Sequence, residues 1–357
     1  MSEFFLGPLE SLMEDPTVSD ILVTGTDKIY VEQAGKLHKT DKKFADRSEL
    51  DKVIESIAAP LGKKVNENFP LLDGRMPDGS RINIVVEQVA LDGPLLSIRK
   101  FSQKMLDVES LISMGSISKS MFEFIRLCVL GRKNIIVSGG TGSGKTTFLN
   151  ICSASIPADE RIVTIEDAAE LQLQQDHVAR METRPPDMDG KGEISIRRLV
   201  INALRMRPER IVIGECRGGE ALDMLQAMNT GHDGSMTTLH ANSTRDAITR
   251  LHSMILLSGI ELPVRAINEM TASAIQIIVH INRFSDGTRK ITGISETAGL
   301  DADFHLKLQD VYIYKQTGID ENGKVIGDYK ATGYIPTCYE EFVMRGFPVD
   351  KKMFTKS

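Results

Sequence analysis

Gly139-Gly140-Thr141-Gly142-Ser143-Gly144-Lys145-Thr146 is the stretch on which the fold of this chain turns. It fits G-x-x-x-x-G-K-[ST]. The apolar run Ile135, Ile136 and Val137 leads in, and a helix is expected to lead out through Thr147. Glycines suit such a loop because it must curl until successive backbone N–H groups aim at one phosphate, and a Cβ would block the approach. Lys145 then offers a point charge to the β- and γ-phosphates, and the Thr146 hydroxyl a ligand for Mg²⁺. A glycine-rich turn that only joins strand to helix is the plain alternative. The full motif in this setting favours ATP and Mg²⁺ held by Gly140, Thr141, Gly142, Ser143, Gly144, Lys145, Thr146 and Thr147.

Outward from the loop, from about Asp107, short apolar runs alternate with helical stretches, the signature of a parallel α/β sheet. Candidate strands are 134–138, 161–165, 210–213 and 235–239. Ile196, Leu199, Val200, Ala203 and Leu204 share one helical face; Ala221, Leu225 and Met228 share another. Ser243 with Asp246 forms a capping-box pattern ahead of Ile248, Leu251 and Ile255. After about Ala274 the chain reads as β-rich, with strands at 275–281 and 290–296 about the turn Asp286-Gly287.

Hydrolysis needs a group that orients water, and ligands of open α/β sheets lie at the carboxyl ends of strands. Strand 161–165 runs into Glu166-Asp167, with Glu170 one turn on. Strand 210–213 runs into Gly214 and Glu215, followed by Arg217. Strand 235–239 ends in His240, with His232 upstream. Each has a plainer reading. A carboxylate after a strand, such as Glu166 or Asp167, serves equally well as a helix cap. A lone histidine is usually structural; His240 is otherwise placed to sense the γ-phosphate. Glu215, after an apolar strand and a close-packing glycine, is favoured to polarise the attacking water and to hold Mg²⁺ directly or through water. Four successive strand ends carrying such groups are hard to explain by capping alone.

The first hundred residues read as a small α+β domain. Asp46 and Glu49 mark a helix start, followed by Leu50, Val53, Ile54 and Ile57 on one face. Pro77-Asp78-Gly79 is turn chemistry, after which Ile82, Ile84 and Val86 recur at the strand period, and 95–98 looks like another strand. The domain division is 1–100, a linker at 101–107 within the polar joint 100–104, and 108–357. With 357 residues, 41 % of them apolar, the chain has ample core for two domains.

The net charge is −6 (Lys+Arg 43, Asp+Glu 49), against a phosphate-neutralising nucleic-acid binder, and no nucleic-acid partner is expected. Cys128, Cys152, Cys216 and Cys338 form no CxxC pair, so neither a zinc ribbon nor a disulfide framework is indicated, and a reducing, cytoplasmic setting fits. No signal peptide is visible at the start, and no run of about eighteen apolar residues occurs. The sixteen methionines read as core filler.

Taken together, the loop, Thr164-Ile165-Glu166-Asp167-Ala168-Ala169-Glu170, Ile213-Gly214-Glu215-Cys216-Arg217 and Gly231-His232 through His240-Ala241-Asn242 resemble the Walker A, Asp box, Walker B and His box of the secretion ATPases. These power type II and type IV secretion and type IV pilus machines. Within that superfamily the chain looks most like the Tad/Flp pilus assembly ATPases, the CpaF group. The carrying residues are Leu72-Asp73-Gly74-Arg75-Met76-Pro77-Asp78-Gly79-Ser80-Arg81, Ser97-Ile98-Arg99-Lys100-Phe101, Arg283 with Asp286-Gly287-Thr288-Arg289, and Ile294-Ser295-Glu296. The four-cysteine module usual in type II and pilus-extension ATPases is missing. On this resemblance, the extra N-terminal segment of many CpaF-group members is expected to be either missing or removed here.

The resemblance implies an α/β fold, a RecA-like P-loop domain after a small PAS-like α+β domain, with ATP held between them. It implies a homo-hexamer on the cytoplasmic face of the inner membrane, peripheral through its partners. Those partners are an integral-membrane pilus platform protein and, indirectly, pilin subunits. Arg75, Arg81 and Arg99 are then candidate arginine fingers, each otherwise a surface arginine beside a hairpin. Rival readings are a type IV or type II secretion ATPase with another client, a nucleic-acid translocase on a RecA-like core, and a small-molecule kinase.

Overall fold

The computed structural model describes residues 4–101, 106–186 and 190–356. The chain divides into two compact units, Met1–Met105 and Leu106–Ser357. The joint expected at 100–104 and the linker at 101–107 fall largely outside the described residues. Among the described residues no helix is long and apolar enough to cross a membrane.

The first unit comprises α1 (Glu10–Glu14), β1 (Val18–Thr24), β2 (Lys28–Gln33), β3 (Lys36–Lys39), α2 (Arg47–Ala58), β4 (Leu71–Arg75), β5 (Arg81–Val85) and β6 (Leu95–Arg99). The strands form one antiparallel sheet in the order β3-β2-β1-β6-β5-β4. α2 starts as its sequence predicts. The Asp46 carboxylate accepts from Glu49 N at 2.9 Å, and the Glu49 carboxylate accepts in return from Ala45 N at 2.6 Å. Leu50, Val53, Ile54 and Ile57 are buried in one cluster with Ile21, Val23, Leu72, Ile82, Ile84, Leu96 and Ile98. Strand alternation then sends Arg75, Arg81 and Arg99 to the other face.

The second unit follows the α/β pattern. It comprises α3 (Val108–Ser113), α4 (Lys119–Leu130), β7 (Ile135–Gly139), α5 (Lys145–Ser153), β8 (Ile162–Glu166), β9 (Val178–Glu182), α6 (Ile196–Ala203), β10 (Arg210–Ile213), α7 (Glu220–Asn229), β11 (Met236–Leu239), α8 (Thr244–Leu256) and α9 (Val264–Ala274). After these come β12 (Ile277–Arg283), β13 (Arg289–Leu300), β14 (Leu306–Ile319), β15 (Val325–Ala331) and α10 (Cys338–Met344). One sheet carries all its strands, in the order β15-β14-β13-β12-β7-β11-β10-β8-β9. Pairing is parallel from β12 to β9 and antiparallel from β12 to β15.

Every residue of β7, β8, β10 and β11 is buried, as a sheet covered on both faces demands. Ile135 and Val137 join one core with α4, α5 and α10; Ile136 joins the other with α6, α7, α8 and α9. The β-rich tail is no separate layer, because β12 lies beside β7 and extends the same sheet. β9 was not anticipated: its sequence, VARME, is half-exposed and polar enough to hide the strand signal.

Candidate active site

The loop leaves β7 at Gly139 and enters α5 at Lys145. Gly142 (φ 67°) and Gly144 (φ 95°) occupy the left-handed region that side chains resist. At Gly139 the space is closed by backbone, since a Cβ there would run into the Ile281 carbonyl. The Ser143 hydroxyl, buried, donates to Gly140 O at 2.9 Å and closes the turn. No side chain caps α5, so its first N–H groups face the loop. A helix start of this kind favours anions. Lys145 is 8 % exposed and donates to Gly139 O (3.1 Å) and Gly140 O (3.0 Å). Burial lowers its pKa, opposed by the Glu215 charge.

Four adjacent strands, β7, β11, β10 and β8, end at the same edge of the sheet, because all run parallel. Past the end of β10, Glu215 is gripped at Oε2, while its buried Oε1 accepts no hydrogen bond among the described residues. Arg217 donates to Oε2 from Nε (2.9 Å) and Nη2 (2.5 Å), and His240 Nε2, just past β11, lies 2.7 Å from Oε1. Arg217 also reaches Asp167 at 3.1 Å, tying the end of β8 to that of β10. The Thr238 hydroxyl donates to Gly214 O (2.7 Å), and Cys216 N donates to Thr238 O (2.8 Å), so the β10 and β11 ends are locked together. Burial lowers the His240 pKa, and the nearby Lys145 charge adds to it.

Glu166 ends β8 at 2 % exposure. Its Oε2 accepts from Glu170 N and Leu171 N, both at 2.7 Å. Its Oε1 is buried with no donor among the described residues. Burial raises its pKa to about 7, against those two backbone bonds. Gly214 lets the two strand ends pack closely, since a Cβ there would sit 3.0 Å from Glu166 Cγ. An uncapped helix start, a glycine cradle, the Thr146 hydroxyl and an orphaned carboxylate oxygen are the donor set that a magnesium–nucleotide complex needs.

Other candidates lie apart from this cluster. His232 precedes β11, near the amino end of the strand, where its ring lies 3.2 Å from Ala227 O and its carbonyl accepts from the Ser235 hydroxyl. The structure therefore does not bring it to the loop of its own chain. Arg75, Arg81 and Arg99 stand in one cross-strand row in the first unit, with Arg75 opposite Arg81 and Arg81 opposite Arg99. Arg99 also pairs with Asp20 at 3.0 Å. Two loop neighbours were missed as site residues. Arg289 Nε donates to Gly142 O at 2.8 Å, and Arg283 Nη1 lies 3.0 Å from where a Gly142 Cβ would be. Their only sequence signal is an arginine on either side of a turn; that this turn abuts the loop depends on β12 pairing with β7. His280 was missed too: it is buried opposite Ser138, its Nδ1 2.9 Å from that hydroxyl.

Comparison with known proteins agrees with this architecture. The family model described as type II/IV secretion system protein matches residues 5–317. A putative conjugal transfer protein of Mycobacterium tuberculosis is 34 % identical over 295 residues, 81 % of this chain and 83 % of that one. The type IV secretion system protein VirB11 of Brucella suis is 30 % identical over 313 residues, 80 % of this chain and 87 % of its own. The solved ATPase DotB of Yersinia pseudotuberculosis superposes with a TM-score of 0.58 at 20 % identity, covering 81 % of this chain and 79 % of that one. The fold is a RecA-like P-loop NTPase domain preceded by a small PAS-like α+β domain, and the chain belongs to the type II/IV secretion system protein family.

Proposed function

We propose that this chain is a Mg²⁺-dependent ATPase motor, and that it works as a homo-hexamer at the cytoplasmic face of the inner membrane to assemble a Tad/Flp-type pilus. One observation carries the hydrolytic reading. Glu215 lies at the same sheet edge as the phosphate loop, held at Oε2 by Arg217, with Oε1 unbonded and His240 Nε2 2.7 Å from it. Lys145 exchanges its bonds to Gly139 O and Gly140 O for the β- and γ-phosphates. Mg²⁺, when bound, spreads positive charge over those phosphates; Thr146 and Glu215 would hold it. Glu215 gives up His240 to polarise a water, Arg217 keeps it aligned, and His240 is freed to meet the γ-phosphate. Water adds to phosphorus as the bond to the β-phosphate oxygen breaks, and its proton leaves by way of the carboxylates. Glu166 and Glu170, at the end of β8, complete the acidic side. Arg75, Arg81 and Arg99 supply the remaining cations.

The pilus assignment is supported by the residue stretches quoted for it, with a membrane platform protein as the coupling partner. A second reading, a conjugative type IV secretion motor, is favoured by the names of the relatives above. The test begins with hydrolysis. Glu215→Gln is expected to retain ATP and to lower phosphate release by at least ~10²-fold, whereas Lys145→Ala loses ATP itself. Full phosphate release by Glu215→Gln would overturn the assignment of Glu215. The ATP-loaded Glu215→Gln protein is then used as bait on detergent-solubilised membranes. Capture of a pilus platform protein supports the first client; capture of conjugation components supports the second and removes the first.

A further inference from the structure

β12 runs parallel to β7 and places Ile281 opposite Gly139, the first glycine of the phosphate loop. Two residues on, Arg283 opens a hairpin whose return strand begins at Arg289, and the two arginines face each other in register. Both touch the loop. Arg289 Nε donates to Gly142 O at 2.8 Å, and its Cδ lies 3.4 Å from where a Gly144 Cβ would be; Arg283 Nη1 takes the corresponding place at Gly142, 3.0 Å away. The hairpin that carries them is braced. Asp286 accepts from Thr288 N (2.9 Å), from the Thr288 hydroxyl (2.7 Å) and from Val325 N (2.7 Å). Phe284 packs edge-on to Tyr314, with 5.7 Å between ring centroids.

Two guanidinium groups set at the rim of a phosphate loop suit an anion bound there, by charge and by their forked donors. The sheet order says which part of the nucleotide this anion is. Glu215, His240 and Glu166 lie on the β11-β10-β8 flank of β7, while the hairpin lies on the opposite flank. The groups that act on the transferred phosphoryl therefore approach from one side of the loop, and the arginines from the other.

We propose that Arg283 and Arg289 form a cationic arm that binds the phosphates the reaction leaves on the nucleotide, the α- and β-phosphates common to ATP and ADP. The proposal rests on the nucleotide reading above and deepens it. The two arginines are binding residues, which hold the nucleotide before and after hydrolysis. Losing a charge-assisted hydrogen bond should then weaken substrate and product alike.

The test compares wild type with Arg283→Gln, Arg289→Gln, Arg289→Lys and Lys145→Ala, all as full chains. Fluorescent ADP and a non-hydrolysable ATP analogue serve as probes, followed by steady-state hydrolysis. Each arginine-to-glutamine change is expected to weaken both probes by the same factor, roughly ten- to a hundredfold. KM should rise with it while kcat stays within about threefold. Arg289→Lys, with charge but no fork, should fall between. A fall in kcat at unchanged ADP affinity would overturn the proposal, because the arginines would then act on the transferred group. Unchanged affinity for both probes in variants that melt like wild type would reduce them to braces of the hairpin. If wild type and Lys145→Ala take up ADP equally well, the nucleotide reading itself falls.

Discussion

Glu166 shows how one position serves two demands. As the last residue of β8 it is buried like the rest of the strand, yet the proposed mechanism gives its carboxylate a part in the site. Burial raises its pKa from 4.5 to about 7. A carboxyl whose pKa is raised on folding binds its proton more tightly in the native state, so native stability is greatest where that proton is held. It falls as the pH climbs from the ordinary carboxylate range through about 7 and is flat above. The penalty above pH 7 is at most about 3 kcal/mol for a shift of this size. Glu166→Gln keeps the shape and removes the charge. Urea unfolding at pH 5 and pH 8.5 should therefore show the variant gaining on wild type at the higher pH. Parallel profiles would mean that the carboxyl titrates normally. The same substitution should lower phosphate release, since the neutral amide cannot take a proton.

At the level of elements, the parts legible in the sequence were those whose signal is local. Asp46 with Glu49 and Ser243 with Asp246 form their predicted caps, and both helices start at the next residue. The candidate strands 134–138, 161–165, 210–213 and 235–239 are found within a residue at each end. Glycine spacing marks the loop because few sequences tolerate two left-handed positions so close together. What the sequence hid is pairing. Nothing in Ile277 to Arg283 says that this strand lies beside β7, so Arg283 and Arg289 were read only as marks of resemblance. Glu160 and Arg210 form a second hidden element contact. Arg210, wholly buried at the start of β10, is clasped by Glu160 at 2.5 and 3.0 Å and donates to Val129 O at 2.8 Å. Removing one partner strands a buried charge. Glu160→Gln should cost on the order of 3 kcal/mol in urea unfolding near neutral pH. The guanidinium beside Glu160 holds its pKa below the ordinary value, against burial. The wild-type contribution is thus complete above the ordinary carboxylate range and fades as pH falls through the lowered pKa. The difference between the two proteins should shrink with it. A constant difference down to acid pH would refute the clasp.

For the whole molecule, the open issue is whose arginines serve whose nucleotide. The first unit contains no phosphate loop, yet its β4, β5 and β6 set Arg75, Arg81 and Arg99 side by side on the face turned from its core. Three guanidinium groups at adjacent register positions suit an anion, the role that the family resemblance gives them. If that anion is the γ-phosphoryl group, Arg81→Ala should lower kcat by about 10³-fold or more while ADP affinity stays intact. This is the reverse of the pattern expected for Arg283 and Arg289, so the two sets of cations are separable by the same pair of measurements. Mixing then tells cis from trans. Arg81→Ala retains an intact phosphate loop, and Lys145→Ala retains an intact arginine row; each alone should be nearly inactive. If the row acts across a head-to-tail contact in a closed ring, equimolar mixed assemblies combine a good loop with a good row at roughly a quarter of their interfaces. Phosphate release should recover towards that fraction after the two proteins are dissociated and reassembled together. If the row serves its own chain, no mixture recovers, because every loop that binds ATP then belongs to a chain without Arg81. Recovery would make the ring a requirement of the chemistry, with each hydrolysis event gated by the neighbouring copy.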